Sequence, residues 1–178
     1  MVGVTWTIGP ESVTSPDAVE ALVTYTTEMA SRYYGRPATG PEVDSAVAEH
    51  PVDDLVPPRG RFLLARADKD GTVAGCIAVA LVSEHTAEIR RFWVAPHTRR
   101  GGLGALLVAA AENAALGMGA RAVRLDTRRD LTEARRLYAR LGYEEIEPFN
   151  DSPYADHWFG KPLRRKLGHI PEQAASPE

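Results

Sequence analysis

Arg99-Arg100-Gly101-Gly102-Leu103-Gly104 falls between a β-rich run ending at Val94 and an amphipathic run opening at Leu103. No other stretch restricts the fold as much, because it demands a strand, a sharp turn and a helix in close succession. Glycines let backbone N–H groups crowd against a ligand, and the helix start adds partial positive charge, so the junction suits an anion. Two arginines at the same turn add charge-assisted hydrogen bonds and fit a pyrophosphate better than a single carboxylate. A tight turn with solvated arginines is the alternative. Two other phosphate motifs fail on the letters. A P-loop needs Gly-Lys followed by Ser or Thr, which the chain lacks. A dinucleotide fingerprint needs a third glycine or alanine where Leu107 stands.

The elements around this junction can be read from periodicity and punctuation. Val4 to Ile8 predicts a short strand. Ser15, Pro16 and Asp17 then start a helix that Gly35 and Pro37 end. Pro41 to Glu49 predicts a second helix, and Pro51, Pro57 and Pro58 enforce a loop. Arg61 to Ala67 and Thr72 to Ser83 are β-rich runs joined through Asp70-Gly71, a hairpin signal. Ala87 to Val94 adds a third strand. After the glycine turn, Leu103, Leu106, Leu107, Ala110, Ala111 and Ala114 mark one helical face that stops at Gly117 and Gly119. Ala122 to Thr127 predicts a buried strand and Thr132 to Leu141 a helix capped at Gly142. Tyr143 to Ile146 and His157 to Leu163 predict the closing strands. The order β α α β β β α β α β β is an α/β (α+β) fold, with a mixed, mostly antiparallel sheet that contains one parallel βαβ unit.

Composition narrows the class. A chain of 178 residues, 44% hydrophobic and 25% charged, suits one domain, here 1–163, followed by a flexible tail over 164–178. No run approaches the roughly 20 apolar residues of a membrane span, and the first ten residues lack a secretory pattern, so the expected address is cytoplasmic. Cys76 is the only cysteine and lies in an apolar run, which excludes an intrachain disulfide and points to a core thiol. His50, His85, His97, His157 and His169 have no ligand spacing, so no metal is expected. Between Ile89 and Arg140 eleven arginines face four carboxylates, although the whole chain carries −3. Net acidity and the lack of an aromatic-studded basic strand argue against nucleic acid.

Two ordered motifs resemble the GNAT superfamily of acetyl-CoA-dependent N-acetyltransferases. The first is Val94-Ala95-Pro96 followed by Arg99-x-x-Gly102-x-Gly104. The second is Ala134-Arg135-Arg136-Leu137-Tyr138 with Leu141-Gly142-Tyr143 behind it. The likeness runs from about Val4 to Leu163 and is strongest from Glu88 to Ile146. It implies an opening between the strand ending at Val94 and the strand Ala122 to Thr127, with acetyl-CoA as co-substrate and no metal. By the same likeness the backbone of Trp93 and Val94 meets the pantetheine, and Val94 N–H polarises the thioester. Arg99, Arg100, Gly101, Gly102, Leu103, Gly104 and Ala105 hold the pyrophosphate, and Ala134 and Tyr138 flank the cofactor. Leu131 stands where many relatives carry Asn, with Thr127 or Thr132 as the candidate substitute. A homodimer is a family habit.

Acyl transfer to an amine must remove a proton, stabilise an oxyanion and quiet a thiolate. The resemblance gives Glu88 as general base and Tyr138 as donor to the sulfur. The competing readings are an ion pair of Glu88 with Arg90 or Arg91, and a Tyr138 that merely packs. A thiol near 8.5 and a tyrosine near 10 make full proton transfer to the thiolate uphill by roughly 2 kcal/mol, so a hydrogen bond is the expected role. Tyr33, Tyr34, Tyr154 and His157 are weaker candidates for the acceptor pocket, each with a packing alternative. The expected activity is acetyl transfer to a primary amine by direct attack in a ternary complex. The rival is a non-catalytic acyl-CoA-binding regulatory module. The acceptor itself is unreadable, because specificity sits in loops.

Overall fold

In the computed structural model, which describes residues 4–164, the chain runs β1 (Trp6–Pro10), α1 (Pro16–Tyr34), α2 (Gly40–Glu49), β2 (Gly60–Ala67), β3 (Val73–Leu81) and β4 (Thr86–Val94). A short 3-10 turn, Pro96–Thr98, leads into α3 (Leu103–Gly117), and β5 (Ala122–Thr127), α4 (Thr132–Arg140), β6 (Glu144–Glu145) and β7 (His157–Pro162) follow. The expected tail lies outside the described residues apart from Arg164. Ser15 caps α1 by accepting from Ala18 N–H at 3.1 Å, and Gly35 ends it in the left-handed region at φ +67°. No helix among the described residues is long and apolar enough to cross a membrane.

The seven strands lie in the order β1-β2-β3-β4-β5-β7-β6, antiparallel throughout except for β4 against β5. The sheet is covered on both faces. On one, Leu103, Leu107, Val108 and Ala111 of α3 pack on Ile77, Val79, Ile89, Val123 and Leu125. On the other, Ala18 and Ala21 of α1 meet Phe62, Leu64, Cys76 and Trp93. Burial from both sides explains why β3 reads as an unbroken apolar run without alternation. Each leucine-sized side chain removed from water there contributes on the order of 2–3 kcal/mol.

Two strands differ from the sequence expectation. β1 spans Trp6–Pro10 instead of Val4 to Ile8. It is an edge strand, where a proline without an N–H costs no ladder bond on the open side. β6 is only Glu144–Glu145, because it pairs with β7 alone and Pro148 follows closely.

The feature that positions the site is the parting of β4 from β5. Their pairing covers Thr86↔Ala122, Ala87↔Val123 and Glu88↔Arg124 and stops there. Beyond it the register between β3 and β4 slips between Cys76 and Ala78, and Arg91 takes a left-handed φ of +54°. This bulge bends β4 away from its parallel neighbour. Gly75 permits it: a Cβ at that position would lie 2.6 Å from the Trp93 carbonyl oxygen.

Candidate active site

At the open end of the parted strands, the turn before α3 offers unpaired main-chain donors. Arg100 at φ +66° and Gly102 at φ +89° both lie in the left-handed region, which turns successive N–H groups toward one concavity. The first bond back to the turn runs from Leu106 N–H to the Gly102 carbonyl at 3.4 Å. Gly102, Leu103, Gly104 and Ala105 N–H have no main-chain acceptor among the described residues. Gly101 rests against the Trp6 indole, and Gly104 packs between Leu137 and Phe92. An anion with several oxygens fits this cradle.

Arg99 points elsewhere. Its Nε donates to the Val94 carbonyl at 2.9 Å, and its Nη2 lies 2.7 and 2.8 Å from the two Glu28 oxygens. Glu28 also accepts from Trp93 Nε1 at 3.0 Å and pairs with Arg32, which reaches Glu133 of α4 at 2.9 Å. These bonds fasten α1 beside the end of β4.

Val94 presents its N–H to the opening. Ala95 N–H donates to the Ala74 carbonyl at 2.8 Å, toward β3, and alternation along the strand turns the Val94 N–H the other way. Across the gap stands Tyr138 on α4, packed among Phe92, Tyr143 and Phe159. Its hydroxyl has no protein partner among the described residues, although the ring is 4% exposed and the residue lines the cleft. Burial raises the Tyr138 phenol well above its ordinary value, so it donates hydrogen bonds and resists giving up its proton. Ala134, Leu131, Thr127 and Thr132 also line this stretch of cleft.

At the closed end the carboxylates differ. Glu88, 13% exposed, accepts from Arg90 Nε at 2.9 Å on one oxygen and from Arg124 Nε at 3.0 Å on the other. Arg90 is paired in turn with Asp54. Asp126, on the neighbouring strand, forms no ion pair with an arginine among the described residues, and its carboxylate accepts from Asn150 instead. Burial raises its pKa and the charge of Glu88 reinforces the rise, opposed by the Asn150 amide that donates to it at 2.7 Å and more weakly by the charges of Arg90 and Arg124. Both carboxylates line the same cleft.

Farther out, Tyr33 contacts Tyr34 and Tyr154 edge-on at 5.2 and 5.3 Å between ring centroids, and the Tyr154 hydroxyl reaches Glu49 at 3.2 Å. All three tyrosines line the cleft. His157 does not. Its Nδ1 lies 3.0 Å from Glu145 across the β6–β7 pair, so its place at the head of β7 directs it to a neighbouring strand and away from the cleft wall.

The continuous cleft from the glycine turn to these tyrosines measures about 1550 Å³. Pockets for one small ligand run roughly 300–1,000 Å³, so there is room for a long co-substrate and an acceptor together. Residues 24–143 match the model of the acetyltransferase (GNAT) family. The chain belongs to this family. An uncharacterised N-acetyltransferase of Schizosaccharomyces pombe is 35% identical over 121 residues, 67% of this chain and 73% of the relative. An IAA acetyltransferase of Azospirillum brasilense is 34% identical over 143 residues, 78% and 83% of the two chains. The PaiA N-acetyltransferase of Thermoplasma acidophilum, solved in complex with coenzyme A, shares the fold. Its TM-score is 0.67 at 20% identity, over 89% of this chain and 99% of that one. The protein is thus a GNAT-type acyltransferase.

Three residues of this GNAT cleft were not singled out by sequence reasoning. Asp126 sits inside a strand whose apolar positions drew the attention, and Glu28 is one acid among several on α1. Asn150 lies in a loop. The signal for Asp126 was its alternation: β5 buries Val123, Leu125 and Thr127, which turns Arg124 and Asp126 to the Glu88 side.

Proposed function

We propose that this GNAT enzyme transfers an acetyl group from acetyl-CoA to a primary amine by direct attack within a ternary complex. The observation that carries this reading is the pairing of a main-chain anion cradle with the unengaged Tyr138 hydroxyl, on the two sides of the parted strands. Acetyl-CoA supplies the activated acyl carbon and a thiolate leaving group. The N–H groups of Gly102 to Ala105 and the Arg100 guanidinium hold its pyrophosphate, and Arg99 braces the turn through Glu28. The Val94 N–H donates to the carbonyl oxygen as that atom gains charge. The Tyr138 hydroxyl donates a hydrogen bond to the departing sulfur.

The ammonium proton goes to Asp126. A carboxylate with a raised pKa is the better proton acceptor, whereas both oxygens of Glu88 are already held by guanidinium groups. Glu88 therefore enters this reading as the residue that fixes Arg90 and Arg124 and sets the negative field at Asp126. Calorimetry with coenzyme A, followed by thiol release from acetyl-CoA over an amine panel, tests the proposal. Binding with amine-dependent thiol release supports it. Binding without release from any amine leaves a regulatory acyl-CoA module, and absence of binding removes the cradle.

A further inference from the structure

Two non-glycine residues among those described hold a positive φ, Arg91 at +54° and Arg100 at +66°. Both are arginines and both line the cleft. Non-glycine residues persist in that region only where their surroundings enforce it, and such places cluster at ligand sites. Arg100 belongs to the anion cradle. Arg91 stands at the other end, on the β4 bulge, facing α1 and the segment after α2.

The neighbouring cations are already matched. Arg90 pairs with Glu88 and Asp54, Arg124 with Glu88, Arg128 with Asp130, and Arg32 with Glu28 and Glu133. Arg91 donates to the His50 carbonyl at 3.1 Å and has no carboxylate partner among the described residues. Its charge is held in place by a main-chain acceptor and left uncompensated at the acceptor end. Tyr25, half-buried on α1, lines the same cleft as Arg91 and Asp126. The His50 and Tyr154 rings, 5.9 Å apart, supply apolar surface alongside.

We propose that Arg91 binds a carboxylate of the acceptor, so that the acetylated amine belongs to a molecule carrying both an amino and a carboxylate group. The inference rests on the transferase reading above. Asp126 receives the ammonium end and Arg91 the carboxylate end, so the cleft matches a zwitterion and discriminates against a plain amine. A guanidinium suits this task because its planar fork takes both oxygens of a carboxylate.

The test uses the full chain with coenzyme A present and calorimetric titration of N-acetylated alanine, phenylalanine and glutamate, each as the free α-carboxylate and as the α-carboxamide. The wild type is expected to bind the carboxylate member of at least one pair tenfold or more tighter. Arg91→Gln should abolish that ratio by weakening the carboxylate alone, and Arg91→Lys should restore part of it. Equal affinities in every wild-type pair, no binding by any probe, or an unchanged ratio in Arg91→Gln would each overturn the assignment. Thiol release with the corresponding free amines separates the two claims. Carboxylate preference in binding without thiol release from any amine sinks the transferase reading and keeps Arg91 as an anion anchor. Thiol release that ignores the carboxylate does the reverse.

Discussion

The guanidinium of Arg99 lies against the carboxylate of Glu28, with Nη2 2.7 and 2.8 Å from the two oxygens, while its Nε holds the Val94 carbonyl at 2.9 Å. The arginine that leads the glycine turn thus ties α1 to the end of β4, and main-chain donors are left to face the anion. Glu28→Gln removes the charge but keeps an acceptor for Trp93. It is expected to cost about 1–2 kcal/mol in urea unfolding, since the pairs are partly buried. On the proposed reading, in which main-chain N–H groups hold the pyrophosphate, the dissociation constant for coenzyme A should change less than about threefold. A much larger affinity loss without a stability loss would assign Arg99 directly to the pyrophosphate.

Tyr138→Phe removes one hydroxyl and no packing. Coenzyme A affinity should stay within a few-fold, while kcat falls by about tenfold or more, the scale of a lost hydrogen bond to a charged transition-state atom. Because burial raises the phenol, no alkaline limb in the rate should disappear with it. An unchanged kcat would take Tyr138 out of the mechanism.

On the proposed reading, Asp126 accepts the ammonium proton only when it is ionised. Burial raises its pKa, so the rate should decline on the acid side at a higher pH than an ordinary aspartate near 3.9 gives. Asp126→Asn should flatten that limb and lower kcat tenfold or more, whereas Glu88→Gln should retain it. Stability has the opposite sign. A carboxyl whose folded pKa is raised destabilises the fold as pH climbs from its unfolded to its folded value, so Asp126→Asn should melt higher than wild type at neutral pH. That advantage should shrink below the unfolded pKa.

Cys76 is fully buried beneath the bulge, where its thiol lies 3.3 Å from the Arg91 carbonyl. Burial raises it to about 12, with the Arg91 charge a lesser, opposing influence. Thiolate is the reactive form, so a disulfide reagent at pH 8 should label the native protein far more slowly than the urea-unfolded chain. Rapid native labelling would mean that the strand pair opens there.

Much of the architecture was legible because it rests on local chemistry. Ser15 with Pro16, Gly35, Asp70-Gly71 and the Arg99 to Gly104 turn each mark a boundary by backbone or capping rules that need no tertiary partner. The β4–β5 parting was legible only through family likeness, since the bulge depends on Gly75 meeting Trp93 across two strands. The site residues divide in the same way. Tyr138 lies in a spaced motif, whereas Asp126 acquires its character from burial beside Asn150 and Glu88, contacts that join distant segments. Glu88 was legible as a position, but its arginine partners on β4 and β5 change what its oxygens are free to do. His157 shows the converse: its place at the start of the last strand made it a candidate by family likeness, yet its ring pairs with Glu145 and does not line the cleft.

The bulge itself offers the most direct test of how the fold makes the opening. An alanine at Gly75 would place a Cβ 2.6 Å from the Trp93 carbonyl oxygen and 3.0 Å from Leu107 Cδ1. The leucine can rotate, but a backbone oxygen moves only if β4 moves. Gly75→Ala should therefore cost about 1–3 kcal/mol, the range for overpacking a well-filled interior. It should also displace the Val94 N–H that faces the gap. Turnover is then expected to fall more than coenzyme A affinity, because the glycine turn lies beyond the displaced segment. Gly9→Ala is the matched control, with nothing within 4 Å of its added Cβ, and should stay within about 0.5 kcal/mol of wild type. Equal stability and equal turnover in both variants would show that β4 parts from β5 without help from the bulge.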